Sequence, residues 1–214
     1  FSLQYGAGDL SALRRSIYVS LLLIGTVTIL LNVAVFLWLD PILRWLQVPY
    51  DIYPLMRNYL WIIFWGIVFT FLYNFYAALL RAVGDSVTPL WFLAVSVVLN
   101  IGLDLFLILV LDQGIEGAAV ATVIAQGTAA SGILLYTYKI RPELRLHRED
   151  MRFDRSSLRE ITSFSTLTCV QQSVMNFGIL MVQGLVNSFG TVVMAAFAAA
   201  VKIDSFAYMP VQEF

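Results

Sequence analysis

Long apolar runs alternate along this chain with short polar segments, and that alternation sets the expected elements. The first run, Ser16 to Leu39, carries no charge. At about 1.5 Å per residue it is long enough to cross roughly 30 Å of hydrocarbon. Asp40-Pro41 is expected to end it, because proline pushes the preceding residue out of the helical region. Asn58 to Leu80 forms a second uncharged run, and Pro89 to Leu111 a third, with Asp104 as its one charged residue. A fourth, from about Ile115 to Tyr138, is rich in small residues, "GAAVATVIAQGTAASG". Small side chains let helix backbones approach closely, so this helix is expected inside a bundle. A fifth, Ile161 to Phe189, is more polar, with Gln171, Gln172, Asn176 and Gln183 among its residues. One face of it is expected to look into protein or a wet cavity. A sixth starts near Thr191 and carries Lys202 and Asp204 before Pro210. The pattern predicts an all-α fold, a polytopic transmembrane helix bundle.

Composition agrees. Hydrophobic residues make up 60% of the chain and charged residues 13%, against about 25% charged in soluble domains. A soluble protein cannot bury several uncharged runs, because its helices must each show a polar face to water. The net charge of −1 points to no partner, and the basic residues do not interleave with aromatics as a nucleic-acid face requires. Cys169, the single cysteine, lies in an apolar run and is expected to be a packed, inert thiol. His147 stands in a charged segment without other ligand types at metal spacing. The membrane runs hold no His, no Ser-His-Asp set and no paired carboxylates on one segment, so no enzyme and no cofactor is expected. The first ten residues are neither basic nor apolar enough for a signal peptide, and the chain reads as an internal piece of a longer protein.

The basic residues orient the spans. Arg14, Arg15, Arg81, Lys139, Arg141, Arg145, Arg148, Arg152, Arg155 and Arg159 fall on one side, and only Arg44 and Arg57 on the other. The first side is expected to be cytoplasmic, with Trp38, Trp45, Trp61 and Trp65 toward the outer interface. The charged stretch Lys139 to Glu160 divides residues 1–138 from 161–214. Leu144, Leu146, Met151 and Phe153 could rest on the membrane while the arginines meet anionic headgroups, or the stretch could be a solvated linker. Ser157 and Glu160 have capping-box spacing before the fifth run.

Three motifs carry candidate roles. "YGAGD" (Tyr5 to Asp9) and "RAVGD" (Arg81 to Asp85) sit at helix ends, where Gly suits the left-handed closing position and Asp can cap the next helix. Their recurrence hints at an internal repeat. "NIGLD", Asn100 to Asp104, puts a carboxylate inside an apolar run with an amide one turn before it, on the same helix face. An ionised, unpaired acid at this depth costs about 3 kcal/mol or more, so Asp104 is expected to face the bundle interior. A carboxyl in such surroundings can bind and release a proton or exchange it for sodium. Interhelical glue is the alternative. Gln171, Gln172 and Asn176 are candidates for a substrate path.

The ordered set "YGAGD", "LLRAVGDSVTP", "NIGLD", "GAAVATVIAQ" and "LVNSFGTVVMAAFAAAVKIDSFAYMP" resembles the multidrug and toxic compound extrusion (MATE) transporters, over nearly the whole chain. The resemblance implies twelve helices in two six-helix lobes. Residues 1–138 would be the end of helix two and helices three to six, 139–160 the cytosolic linker, and 161–214 the start of the second lobe. It implies a cation site at Asp104, Asn100 and Thr122, whose partner acid on the first helix would lie outside this piece. It places Gln171 or Gln172 where some relatives carry an acid, so a second-lobe sodium site is not expected. The family often has proline after the motif's Asp. Here Leu105 follows, which makes a kink less expected and leaves proton or sodium open as coupling ion.

The expected function is therefore efflux of small organic, often cationic, substrates from the cell across the inner (plasma) membrane, among its lipids, by alternating access. A lipid or lipid-linked saccharide flippase of the same fold is the alternative, though the membrane runs lack the Arg and Lys that a basic cavity needs. A non-transporting membrane scaffold is a third reading.

Overall fold

The computed structural model describes residues 1–45, 52–147, 150, 155–187, 197 and 199–201. All regular structure among them is helical: α1 (Ser2–Gly6), α2 (Leu10–Trp45), α3 (Tyr53–Ala82), α4 (Val87–Leu105), α5 (Gly114–Ile140) and α6 (Arg155–Asn187). A π-helical turn, Phe106–Val110, extends α4, and a 3-10 turn, Pro142–Leu144, follows α5. Four of these stretches are long and apolar enough to cross a membrane: Leu10–Arg44, Tyr53–Ala82, Val87–Val110 and Gly114–Ile140. The chain forms two compact units, Phe1–Leu158 and Arg159–Phe214.

In the first unit α5 is the central helix. It packs most extensively on α3 and also on α4, while α2 lies against α3. The sequence explains this: α5 buries Gly117, Ala119, Ala121, Ala125, Ala129 and Ala130, residues too small to hold neighbouring backbones apart. Gly132 shows how close the approach is, since a Cβ there would stand 2.6 Å from Cε1 of Phe92 on α4. At one end of the bundle Leu13, Ile17, Phe75, Leu79, Leu80, Val83 and Ile133 form the core. Toward the other end Phe36 stacks edge-on with Trp61 and tilts against Trp65, centroids 5.7 and 5.6 Å away. The tryptophans expected at an interface thus include an aromatic cluster of α2 and α3; the side chain of Trp45 lies outside the described residues.

The two Gly-Asp motifs fold alike. Gly8 (φ 74°) and Gly84 (φ 88°) both take the left-handed conformation. Asp9 N–H then donates to Gln4 O at 3.1 Å, and Asp85 N–H to Leu80 O at 2.9 Å, which closes each helix in the same six-to-one pattern. Each carboxylate turns to the next helix: Asp9 accepts from Ala12 N–H at 2.9 Å and Asp85 from Thr88 N–H at 3.1 Å.

Four expectations are corrected. α2 does not stop at Asp40-Pro41 but continues to Trp45. Asp40 is held across the helix pair instead, its Oδ1 accepting from Tyr53 OH and Arg57 Nε, both at 2.9 Å. Leu144 lies neither on a membrane surface nor in a solvated linker; it is buried in the bundle core, and Leu146 packs against that core. Met151 and Phe153 lie outside the described residues. Ser157 is inside α6, which includes residues from Arg155 onward, so it is not that helix's N-cap. Cys169 is exposed, because the α6 surface around it, including Phe164, Val170 and Ser173, is uncovered.

Candidate cation site

The third apolar run becomes α4, and Ser96, Asn100 and Asp104 succeed one another at four-residue spacing on one of its faces. Two contacts fix where that face points. The buried Ser96 hydroxyl donates to Ala125 O on α5 at 2.9 Å. Farther along, a Cβ built on Gly117 of α5 would stand 3.1 Å from Cβ of Leu107. Between these two contacts lie Asn100 and Asp104 on α4 and residues 118–122 on α5.

Both side chains carry a buried polar atom without a hydrogen-bond partner: Nδ2 of Asn100 and Oδ1 of Asp104. Leaving such a group unsatisfied costs about 1–3 kcal/mol, more for a charged one. Elsewhere in the first unit several polar groups do pair between helices. Asn32 donates to Phe64 O at 2.7 Å, Thr70 to Gln126 Oε1 at 2.6 Å, and Asn58 to Glu116 Oε1 at 2.9 Å. Among the described residues two other buried side-chain atoms lack a partner, Gln4 Oε1 and Arg141 Nε, and both lie outside the membrane-spanning stretches; the amide and carboxylate are the orphaned pair within one.

Thr122, the third residue expected at this site, is on α5, between Gly117 and Ala125. Its hydroxyl donates to Ala118 O at 2.9 Å, one turn back along its own helix. No hydrogen bond joins it to Asn100 or Asp104 among the described residues, but a hydroxyl that donates its proton keeps its oxygen lone pairs.

The backbone just beyond Asp104 carries no signal in the sequence. Without a proline, the helix still leaves regular geometry: Phe106–Val110 form a π turn, with Leu111 N–H donating to Phe106 O at 3.2 Å. Wide turns of this kind recur at functional sites. Asp112, at φ 50°, and Gly114, at φ 56°, then turn the chain into α5. Ser96 and the Thr70–Gln126 pair were also missed. A lone serine in an apolar run gives no sign, though Gln126 lies in a run otherwise made of small and apolar residues.

Gln171, Gln172 and Asn176 lie exposed on α6, within the second unit. Lys202 and Asp204 lie outside the described residues, as does the side chain of Gln183.

Comparison with known proteins places this arrangement. Residues 1–106 match the MatE family model. The chain is 34% identical over 209 residues to the "Probable multidrug resistance protein YpnP" of Bacillus subtilis (strain 168), covering 98% of this chain and 46% of that protein. It is 28% identical to the "Probable multidrug resistance protein YoeA" of the same organism, covering 96% and 46%. The chain thus spans about half the length of the curated relatives it matches. Its fold matches the crystal structure of the Vibrio cholerae MATE transporter VcmN in the bent form with a TM-score of 0.87 at 24% identity, over 99% of this chain and 48% of that one. Residues 1–106 thus match the MatE family, and the chain as a whole is similar to probable multidrug resistance proteins and takes the fold of a MATE transporter.

Proposed function

We infer that the protein is a secondary transporter that exports small organic compounds in exchange for a proton or a sodium ion bound at Asp104. The observation that carries this reading is the pair of buried, unpartnered polar atoms on Asn100 and Asp104 in an otherwise apolar membrane helix. The names of the relatives, probable multidrug resistance proteins, support the substrate class.

The chemistry comes from the groups present. A proton on Asp104 removes its charge and turns an acceptor into a donor. For sodium, Asp104 supplies carboxylate oxygens, Asn100 its amide oxygen after rotation of the side chain, and Thr122 a lone pair. In either case occupancy neutralises a charge that is costly at this depth. The neutral and charged forms then favour different packings of α4 against its neighbours, with the π turn as the place where α4 can change its path. Exchange requires that ion and substrate bind the two access states with different affinity. Gln171, Gln172 and Asn176 are proposed to line the substrate path. The Arg- and Lys-rich ends, with the segment 139–160 between two lobes, are proposed to face the cytoplasm of a plasma-membrane protein.

The test is efflux from proteoliposomes holding the full-length protein and a fluorescent organic cation, under separately imposed proton and sodium gradients. Efflux driven by one gradient and lost in Asp104→Asn supports the reading and names the ion. Gradient-driven efflux that survives Asp104→Asn overturns the assignment of the site, and the absence of any efflux overturns the function.

A further inference from the structure

The segment after α5 turns back onto the bundle and closes a slot. Leu144 is 4% exposed and joins the core. Arg14 on α2 helps hold it there, its Nε donating to Glu143 O at 2.9 Å. Beneath the fold-back lies a cavity of about 200 Å³. Its inner wall is Ile17, Tyr76, Leu134 and Thr137, and Leu144 and Leu146 cover it. Thr137 donates its hydroxyl to Ile133 O at 2.8 Å, and the rest of the wall is apolar side chain apart from the Tyr76 phenol.

The rim is different. Arg145 lies over the Tyr138 ring, 4.7 Å from its centroid, and its Nε donates to Tyr138 O at 2.5 Å. These contacts fix the guanidinium without neutralising it. The neighbouring arginines are paired: Arg141 with Asp85 and Glu143, both at 3.4 Å, and Arg14 with Asp150 at 3.8 Å. Among the described residues no carboxylate lies within ion-pair distance of Arg145, and its terminal nitrogens remain available. Arg15, Arg81 and Lys139 are exposed at the same end of the bundle but do not line the slot.

An apolar slot with a positioned, unpaired guanidinium at its mouth matches an amphiphile with an acidic head. The slot lies where α2 begins and α3 and α5 end, which is the headgroup level for helices that span the bilayer. We propose that this slot binds an anionic phospholipid, with Arg145 on the phosphate and the apolar wall against the chain below it. Basic pockets between membrane helices bind acidic lipid heads by this chemistry. A free phosphate ion would use Arg145 and leave the apolar wall without a partner. The inference needs the helices to span a membrane and does not depend on what the protein transports.

The test is native mass spectrometry of the full-length protein in detergent, titrated with phosphatidylglycerol or phosphatidylcholine of identical acyl chains. One arginine near the surface predicts about fivefold tighter retention of phosphatidylglycerol. Arg145→Gln should abolish that preference, and Arg145→Lys should keep most of it. Arg81→Gln, at the same end but outside the slot, should leave it intact. Leu134→Trp, which fills the slot, should weaken both lipids. Equal retention of the two lipids by the wild type overturns the proposal without any variant, so a misfolded variant does not shelter it. A preference that survives Arg145→Gln, or is lost equally in Arg81→Gln, also overturns it. Displacement of phosphatidylglycerol by inorganic phosphate would reassign the site to a free anion.

Discussion

Arg141, one residue beyond α5, reaches the carboxylate of Asp85 in the turn between α3 and α4, with Nη2 3.4 Å from Oδ2. The same carboxylate accepts from the Thr88 N–H at 3.1 Å and the Thr88 hydroxyl at 2.9 Å. One side chain thus caps α4 and ties down the segment that leaves α5. Burial works to raise the Asp85 carboxyl, but the Thr88 N–H, the Thr88 hydroxyl and the Arg141 guanidinium outweigh it and hold the group below its ordinary value of 3.8.

That direction sets a pH dependence. A carboxyl depressed in the folded state contributes stability above its unfolded value and loses the contribution as pH falls through the folded one. Asp85→Asn removes the charge yet can still accept from Thr88. It should lower stability by about 1 kcal/mol at pH 7. The difference from wild type should shrink below about pH 4, where the unfolded carboxyl gains its proton. Thermal unfolding of both proteins in detergent at pH 7 and at lower pH checks this; a difference that grows on acidification contradicts it.

Gly84 closes α3 at φ 88°, a conformation in which a Cβ crowds the following carbonyl. A Cβ there would meet nothing within 4 Å, so the cost of Gly84→Ala is backbone strain alone, about 1–2 kcal/mol. Gly8, at φ 74° in the matching motif, also has open space around it. Gly8→Ala should therefore cost a similar amount. Unequal losses in melting temperature would show that the two turns are alike in form but not in energetics.

Gly132 makes the opposite case. Here the backbone is ordinary helix, and the obstacle is Phe92, whose Cε1 would stand 2.6 Å and Cδ1 2.8 Å from an added Cβ. Phe92 also stacks edge-on with Tyr136, centroids 6.1 Å apart, so its ring cannot swing freely. Gly132→Ala should force α4 and α5 apart and destabilise by about 1–3 kcal/mol. Phe92→Leu together with Gly132→Ala should recover part of the loss, because the ring edge is then gone. A double variant no more stable than Gly132→Ala alone would place the strain elsewhere.

Much of this fold was legible because membrane spans declare themselves by apolar length: α2, α3 and α5 each contain their expected run, and α4 with its π turn covers the third as far as Val110. The central place of α5 was legible too, since alanines and glycines carry their packing role in their size. The Gly-Asp turns were readable for the same reason: only a few residue types suit a left-handed closure and a cap. The hidden features depend on partners distant in sequence. Pro41 reads as a stop until Asp40 is seen held by Tyr53 and Arg57. Leu144 reads as part of a charged linker until Arg14 and Asp85 are seen to draw that segment onto the core. The π turn after Leu105 has no residue signature, since ordinary helix formers make it. At the site, spacing alone put Asn100 and Asp104 on one face, but that they would be left unpartnered could be read only from the packed helices.

That missing satisfaction separates function from stability at Asp104. A residue kept for the fold would be paired, as Ser96 is with Ala125 O at 2.9 Å. The unpartnered Oδ1 of Asp104 instead costs the resting protein about 1–3 kcal/mol. Asp104→Leu should remove that cost and raise the melting temperature, or at least not lower it. On the transport reading the same variant should abolish gradient-driven efflux, because no group remains to take the ion. Asn100→Leu should also be tolerated by the fold, and should weaken coupling while leaving the carboxylate in place. Melting curves and efflux measured on the same preparations decide the matter. A variant that melts early and fails to transport would make Asp104 a structural strut. One that melts late and transports normally would leave its burial unexplained by either role. Gain of stability with loss of efflux is the combination expected of a residue whose environment is kept costly for the sake of binding.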